Sequence, residues 1–410
     1  MVNGELPDGW KIIELENCVD ILDNRRKPIN AGEREKRIAG KDEAKLYPYY
    51  GATGKVGLID DYLLDEEVVL LGEDGAPFLD FGKDKAYVVR GKSWVNNHAH
   101  VLKARDGLLT NLFLMHYLNY FDYHGYVTGT TRLKLNQGQM RQFPIKVPPP
   151  PEQERIVAKI EELFTQLEAG TSALERVQTG LRRYKASVLK AAVEGKLLND
   201  EGRMQKDGEL PVGWKLLTIE EACERIVDCL HSTPKFAETG HYCVDSTWIK
   251  PGIFIFEKAR FVDNTTFVER NRRMKPQEND VVFSREGALL GVAVRVPENF
   301  DFCLGQRMMI FRPQDSLDSK YLEAFLNSKA FRSQYAPLIT GTASPHLNIG
   351  DIRKFTIPLP PLEEQRRIVA EVERRLSVAR EVESVVEKAL ARSARLRQSV
   401  LKNAFEGKLI

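Results

Sequence analysis

The chain is one unit written twice, and that repetition restricts the fold to two copies of a single architecture before any local pattern is read. Leu6-Pro7-Asp8-Gly9-Trp10-Lys11 returns 204 residues later as Leu210-Pro211-Val212-Gly213-Trp214-Lys215, with Gly-Glu preceding both copies. Farther on, PPEQERIVA (150–158) matches PLEEQRRIVA (361–370), and VLKAAVEGKLL (188–198) matches VLKNAFEGKLI (400–410) at an offset of 212. Agreement sits at the edges of each copy and variation in its first part. At 410 residues the chain exceeds what one core usually supports, so two cores are expected.

The second half of each copy reads as one long helix with both ends marked. It opens after a proline cluster with carboxylates in the first turn (Glu152 and Glu154; Glu363 and Glu364), facing the positive end of the helix dipole. It stops at Gly195 or Gly407, each placed for a left-handed cap. About 44 residues give roughly 66 Å, which calls for a packing partner. Ile156, Ile160, Leu163, Leu167, Gly170, Leu174, Val177, Leu181, Tyr184 and Val188 recur at alternating steps of 4 and 3. Ile368, Val372, Ala379, Val382, Val386, Ala389, Leu396 and Val400 do the same, with Arg375 and Ser393 interrupting. The spacing predicts that the helices pack on each other as an antiparallel coiled coil. Ile156, Leu163, Leu174, Leu181, Ile368, Val372, Val386 and Leu396 represent that interface.

The first half of each copy mixes strands and helices. EEVVLLG (66–72), AYVVRG (86–91) and FPIKVP (143–148) read as strands, as do DVVFSR (280–285), GVAVRVP (291–297) and RMMIFRP (307–313). A leucine- and aromatic-rich helix follows near 108–120 and 319–328. The expected fold class is α+β: two globular domains (1–151 and 199–361, the latter with its linker) and two spacer helices (152–198 and 362–410).

Charge argues against an independent, strongly basic DNA binder. The formal net charge is +2, divided as about −1 over 1–151, +1 over 152–198, −1 over 199–361 and +3 over 362–410. Bound DNA would require basic residues clustered on one face or a partner supplying phosphate attraction. No apolar run approaches the ~20 residues of a membrane span, and a cytoplasmic protein is expected. Five cysteines form no C-x-x-C pair. Phosphate-loop, zinc-deaminase and nucleophile-elbow motifs are missing, as is the [N/D]-P-P-[F/Y] tetrapeptide of amino-methyltransferases. A loose nuclease pattern, Pro7-Asp8 with Glu43-Ala44-Lys45, fails because Val212 takes the place of Asp8 in the second copy. His98 and His100 have strand spacing and no ligand cluster beside them. Neither an enzyme nor a metal site is expected.

Several motifs together resemble a known family, the specificity subunits (HsdS) of type I restriction-modification enzymes. These are the L-P-x-G-W entry at Leu6 and Leu210, the P-P-x-x-E-Q-x-x-I-V helix starts through Gln153 and Gln365, the T-G-T-x-x-x-x-L-N segments at 128–136 and 340–348, and the E-G-K-L ends at Glu194 and Glu406. The resemblance covers nearly the whole chain. It implies a non-catalytic subunit that recognises a bipartite target in double-stranded DNA. Two methylation (HsdM) subunits, which bind S-adenosylmethionine, would dock on the helices, and motor-nuclease (HsdR) subunits would join them; this chain itself would bind no cofactor. The competing reading is a coiled-coil scaffold without DNA binding, which salt-dependent duplex binding by the complex would exclude.

Base readers need polar side chains on loops that reach a groove edge. In the first domain the candidates are Tyr50, Thr53 and Lys55, then Glu73 and Asp74, then Asn96, Asn97 and His98, and finally Thr130 and Arg132. In the second they are His231, Ser232, Thr233 and Lys235, then Arg285 and Glu286, then Gln306 and Arg307, and finally Ser344 and His346. Arg25-Arg26-Lys27 is a candidate phosphate contact.

Overall fold

The computed structural model describes residues 6–198, 210–340 and 345–410. Its contacts fall into two compact units, one within Met1–Arg176 and Val386–Ile410, the other Val177–Val385. The long helices, Pro150–Val193 and Leu362–Phe405, each contribute residues to both units. The fold class is α+β, as the sequence indicates.

In the first unit a four-stranded antiparallel sheet runs in the order Val19–Ile21, Ala99–Ala104, Val68–Gly72, Ala86–Val89. Val68–Gly72 is apolar throughout because both of its faces are covered, and successive side chains alternate between them. Val69 and Leu71 join the core built on the helix Asn111–Tyr120, while Val68 and Leu70 face a second cluster with Leu64, Val95 and Val101. The second unit repeats this sheet with Cys223–Asp228, Met308–Pro313, Val281–Ser284 and Ala293–Arg295 in equivalent order. In each unit a short antiparallel pair ties the entry strand to the strand before a long helix: Lys11–Glu14 with Pro144–Val147, and Lys215–Thr218 with Thr356–Leu359.

The motifs at the repeat edges anchor these elements to the helices. The Trp10 indole donates to Glu152 at 3.0 Å, and Trp214 donates to Glu364 at 3.1 Å. Gln153 is fully buried and satisfied, donating to the Leu108 and Pro148 carbonyls and accepting from the Thr110 amide. Gln365 repeats the arrangement with Ser316, Pro360 and Asp318. Both helices end in a Schellman cap: the amide of Lys196 bonds the Ala191 carbonyl and that of Lys408 bonds the Asn403 carbonyl, with Gly195 at φ +70° and Gly407 at φ +69°.

Each unit is completed by the start of one long helix and the end of the other. Phe405, fully buried, packs its ring against Phe113, Tyr117 and Tyr120 in the first unit, beside Ile156, Ile160 and Phe164. In the second, Val188, Ala192 and Val193 share a core with Ile368, Val369 and Val372. The helices run antiparallel within each unit. In the first, Thr171 meets Ser393 at 2.9 Å and Arg397 lies 3.5 Å from Glu168; in the second, Lys185 pairs with Glu383.

The seam departs from the sequence reading in detail. Ile156, Ile368 and Val372 pack into their own globular halves, Val386 is buried, and Leu163, Leu174 and Leu181 are half-buried. Leu396 and Val382 are 42% and 38% exposed. A straight helix drifts from a strict seven-residue repeat, and near Leu396 the contacts pass instead through Ser393, Arg397 over the Phe164 ring, and Leu401.

A Cβ at Gly407 would lie 2.3 Å from Pro7 Cγ, and one at Gly195 would lie 2.3 Å from Pro211 Cγ. Gly407→Ala is therefore expected to destabilise by more than the ~1 kcal/mol of a left-handed alanine, because the proline must also move. Gly170, in mid-helix with open space around it, is expected to gain up to about 1 kcal/mol on change to alanine. Urea unfolding of both variants checks the opposite signs.

Candidate nucleic-acid interface

The four candidate segments of the first domain are brought to one end of its sheets. The turn 51–55 joins two hairpin strands and lies beside Gly72 and Ala76, since a Cβ on Gly72 would meet the Ala76 Cβ and the Ala52 carbonyl. The Asn96 amide donates to the Tyr50 carbonyl, the Glu73 amide to the His98 carbonyl, and the Leu135 amide to the Glu73 carbonyl. Asp74 forms a bridge with Lys134, which places the hairpin carrying Thr130 and Arg132 against the strand end.

A charged cluster fills this junction. Glu73 pairs with Arg26 at 2.6 Å and with Lys134 at 3.4 Å. The Asp74 carboxylate accepts from Arg132 at 2.6 Å and lies 2.8 Å from His98 Nδ1, which makes no aligned hydrogen bond. Behind it Asp23 accepts from the Val101 amide and Gln137, lies 3.3 Å from Arg26, and meets the buried His100 at 2.7 Å. Burial opposes the charge on Asp23, yet His100, the Val101 amide and Gln137 hold its carboxyl below the usual range. Thr53, Lys55, Asn97, Thr130 and Arg132 are exposed, and Tyr50 is half-buried against Tyr87. Asn96 is buried and accepts from the His98 amide, which commits it to shaping the loop.

The second domain repeats the junction with other side chains. The Arg285 amide donates to the Arg307 carbonyl, the Leu347 amide to the Arg285 carbonyl, and the Gly287 amide to the Pro345 carbonyl, matching Glu73–His98, Leu135–Glu73 and Gly75–Leu133. Glu286 bridges to His346 as Asp74 does to Lys134. Arg285 thus takes the backbone place of Glu73, an acid exchanged for a base. It is buried, reaching His231 at 3.0 Å and the Leu347 carbonyl at 3.2 Å. Asp228 stands where Asp23 does and pairs with His231 and Arg273 at 3.0 and 2.8 Å. Gln306 donates to the His231 carbonyl and accepts from Thr233; Arg307 lies 3.4 Å from Glu286; Thr340 meets His346 at 3.0 Å. Ser232 and Lys235 are exposed, with Arg270 donating to the Ser232 carbonyl. Ser344 lies outside the described residues.

Sequence reasoning missed Asp23, His100 and Gln137, and Asp228 with Arg270 and Arg273. The only signal for the two aspartates was their shared place at the end of the edge strand of the repeat, Asp23 two residues past Ile21 and Asp228 as the last residue of Cys223–Asp228. Arg26, a candidate phosphate contact, is engaged by Asp23, Glu73 and the Ala99 carbonyl. Among the described residues no group of His, Cys, Asp and Glu is placed for a metal ion, and no helix is long and apolar enough to cross a membrane.

Comparison with known proteins gives a consistent picture. A family model described as type I restriction modification DNA specificity domain matches residues 7–176 and again 211–376. The chain is similar to a putative type I restriction enzyme specificity subunit of Haemophilus influenzae, 28% identical over 366 residues, covering 88% of this chain and 86% of the other. It is also similar to the EcoDI specificity subunit of Escherichia coli, 23% identical over 432 residues, covering 100% and 90%. In fold it resembles a chain from a structure concerned with complex assembly and conformational transition of the type I R-M system, at a TM-score of 0.70 and 19% identity over 99% and 100% of the two chains. The HsdS subunit from Thermoanaerobacter tengcongensis gives 0.51 and 20% over 100% and 99%.

The half-buried Asp23 yields a pH signature. A carboxyl whose pKa folding depresses stabilises the fold above its unfolded value, near 3.8, and loses that contribution as pH falls through the folded value. Asp23→Asn is expected to cost about 1–3 kcal/mol at neutral pH. The gap to the parent should close as pH drops below 4. A gap that stays constant between pH 7 and pH 3 in urea titrations would show that Asp23 is not held as a carboxylate.

Proposed function

The chain belongs to the family of type I restriction-modification DNA specificity subunits, and on that premise we propose that its two globular domains each read one half of a bipartite DNA target. The observation that carries this reading is the duplicated junction. Each domain gathers four polar loops at one sheet end on an equivalent backbone framework, and the two frameworks present different donors and acceptors. That is what two unlike half-sites require, because sequence is read by hydrogen-bonding groups at base edges while shape and register come from the scaffold.

This chain contributes recognition and assembly, not catalysis. Two methylation subunits dock along the paired helices and hold S-adenosylmethionine, and motor-nuclease subunits join that complex. Their surfaces also supply phosphate attraction that a chain of net charge +2 lacks. The helices suit docking because Val177, Tyr184, Val378 and Val385 expose apolar surface along them.

Exchanging residues 12–143 for the matching domain of a relative is expected to alter one half of the methylated sequence and leave the other half intact. Mapping methylated adenines in cells that carry the chimera with its methylation subunits reads this directly. Both halves changing together would sink the two-reader proposal. Absence of any salt-dependent duplex binding by the assembled complex would favour a protein scaffold instead.

A further inference from the structure

The geometry points to His98 and Arg307 as matched base-reading residues, each held ready by a carboxylate, Asp74 in the first domain and Glu286 in the second. This rests on the reading of the domains as DNA readers and names the side chain that sets one base of each half-site. The two residues occupy one place in the repeat: the carbonyl of each accepts the amide of the residue, Glu73 or Arg285, that precedes the carboxylate. His98 Nδ1 lies 2.8 Å from Asp74, and Arg307 Nε lies 3.4 Å from Glu286. Both side chains are close to two-fifths exposed, at 41% and 44%, and their carboxylates are more covered, at 22% and 24%.

Three physical points favour this pair over the neighbouring polar residues. First, a side-chain contact this exposed contributes little to the fold, so a base edge can replace the carboxylate at small cost. Second, Arg285 and Asn96 are buried within the framework, whereas His98 and Arg307 each combine a backbone fixed by the junction with an accessible side chain. Third, Arg307 adopts φ +74°, a conformation in which a Cβ crowds the following carbonyl. The other non-glycine residues with positive φ among the described residues are Asn279 and Asn299, a residue type that adopts it readily. A strained residue at a site of this kind is a pointer to function. The ligand follows from the side chains. A guanidinium matches the O6 and N7 acceptors of guanine in the major groove, and an imidazole offers one ring nitrogen to a single acceptor such as purine N7.

The test uses the assembled complex with its methylation subunits. Arg307→Ala is expected to lower discrimination at one base position of one half-site by about 5- to 150-fold. The other half-site and the salt dependence of binding should not change. His98→Arg should shift one position of the other half-site toward guanine. If the alanine variant fails to assemble, Arg307→Gly removes the side chain while relaxing the backbone and gives the same readout. Assembled variants that methylate the parental sequence with parental discrimination overturn the assignment. A salt slope reduced by about one overturns it as well, since that marks a phosphate contact. A parental complex that binds duplex DNA without sequence preference overturns the underlying reading and the pair with it, an outcome seen before any variant is made.

Discussion

Neither globular half of this chain closes its own core; each depends on the terminal turns of the helix that belongs to the other copy of the repeat. Phe405, Ala404 and Leu401 complete the core around Phe113 and Tyr117, and Val188, Ala192 and Val193 complete the one around Tyr321 and Phe325. A side chain such as Phe405, fully buried, contributes on the order of 1.5–3 kcal/mol. The contact joins residues nearly three hundred positions apart in sequence. Ordering that much chain precedes the gain, so such contacts slow folding more than they limit stability. The glycine caps follow from the same constraint. Gly195 and Gly407 stop the helices where Pro211 and Pro7 lie against them, so the turn that ends a helix also seats the start of a domain.

With the helix ends fixed, the polar groups beneath them have to be satisfied, and the chain solves this identically twice. Gln153 and Gln365 each take up two carbonyls and one amide at a loop buried under a helix start. A buried group left without partners would cost about 1–3 kcal/mol, which explains why this glutamine recurs although the loops it satisfies differ, Leu108 and Thr110 in one copy and Ser316 and Asp318 in the other. The sheet-end junctions obey the opposite rule. Their backbone bonds recur while their side chains change, with Glu73 exchanged for Arg285 and His98 for Arg307. Backbone hydrogen bonds hold the shape without reference to side-chain charge, and the charge is then free to vary.

The fold was legible because its signals are periodic or duplicated. EEVVLLG and DVVFSR read as strands, the 4–3 spacing as a helix pair, and the glycines as helix ends; all appear in the structure. The junction loops were legible as polar breaks in apolar runs. What polarity does not encode is direction. Asn96 and Arg285 look like readers in sequence, yet their side chains turn inward and hold loops. Ser393 looks like a flaw in a hydrophobic seam and instead finds Thr171 on the facing helix. Asp23 carries no motif at all. Its role exists only once strand pairing brings His100, Val101 and Gln137 around it.

The near-neutral charge acquires a physical meaning from these pairings. Arg26, Arg132, Lys134, Arg273 and Arg307 are each matched with a carboxylate of the same domain. A cation already neutralised by a neighbour lowers the phosphate attraction that drives nonspecific binding, so such a domain holds arbitrary DNA weakly. Pairs with an exposed cation, those of Arg132, Lys134, Arg273 and Arg307, contribute only about 0.2–1 kcal/mol each, whereas a bidentate contact to the correct base is worth roughly 1–3 kcal/mol. On the proposed reading, exchanging a carboxylate for the matching base is favourable and exchanging it for a mismatched one is not. The acids that make the chain look ill-suited to DNA then act as competitors for its cations, and that competition raises the ratio of specific to nonspecific binding.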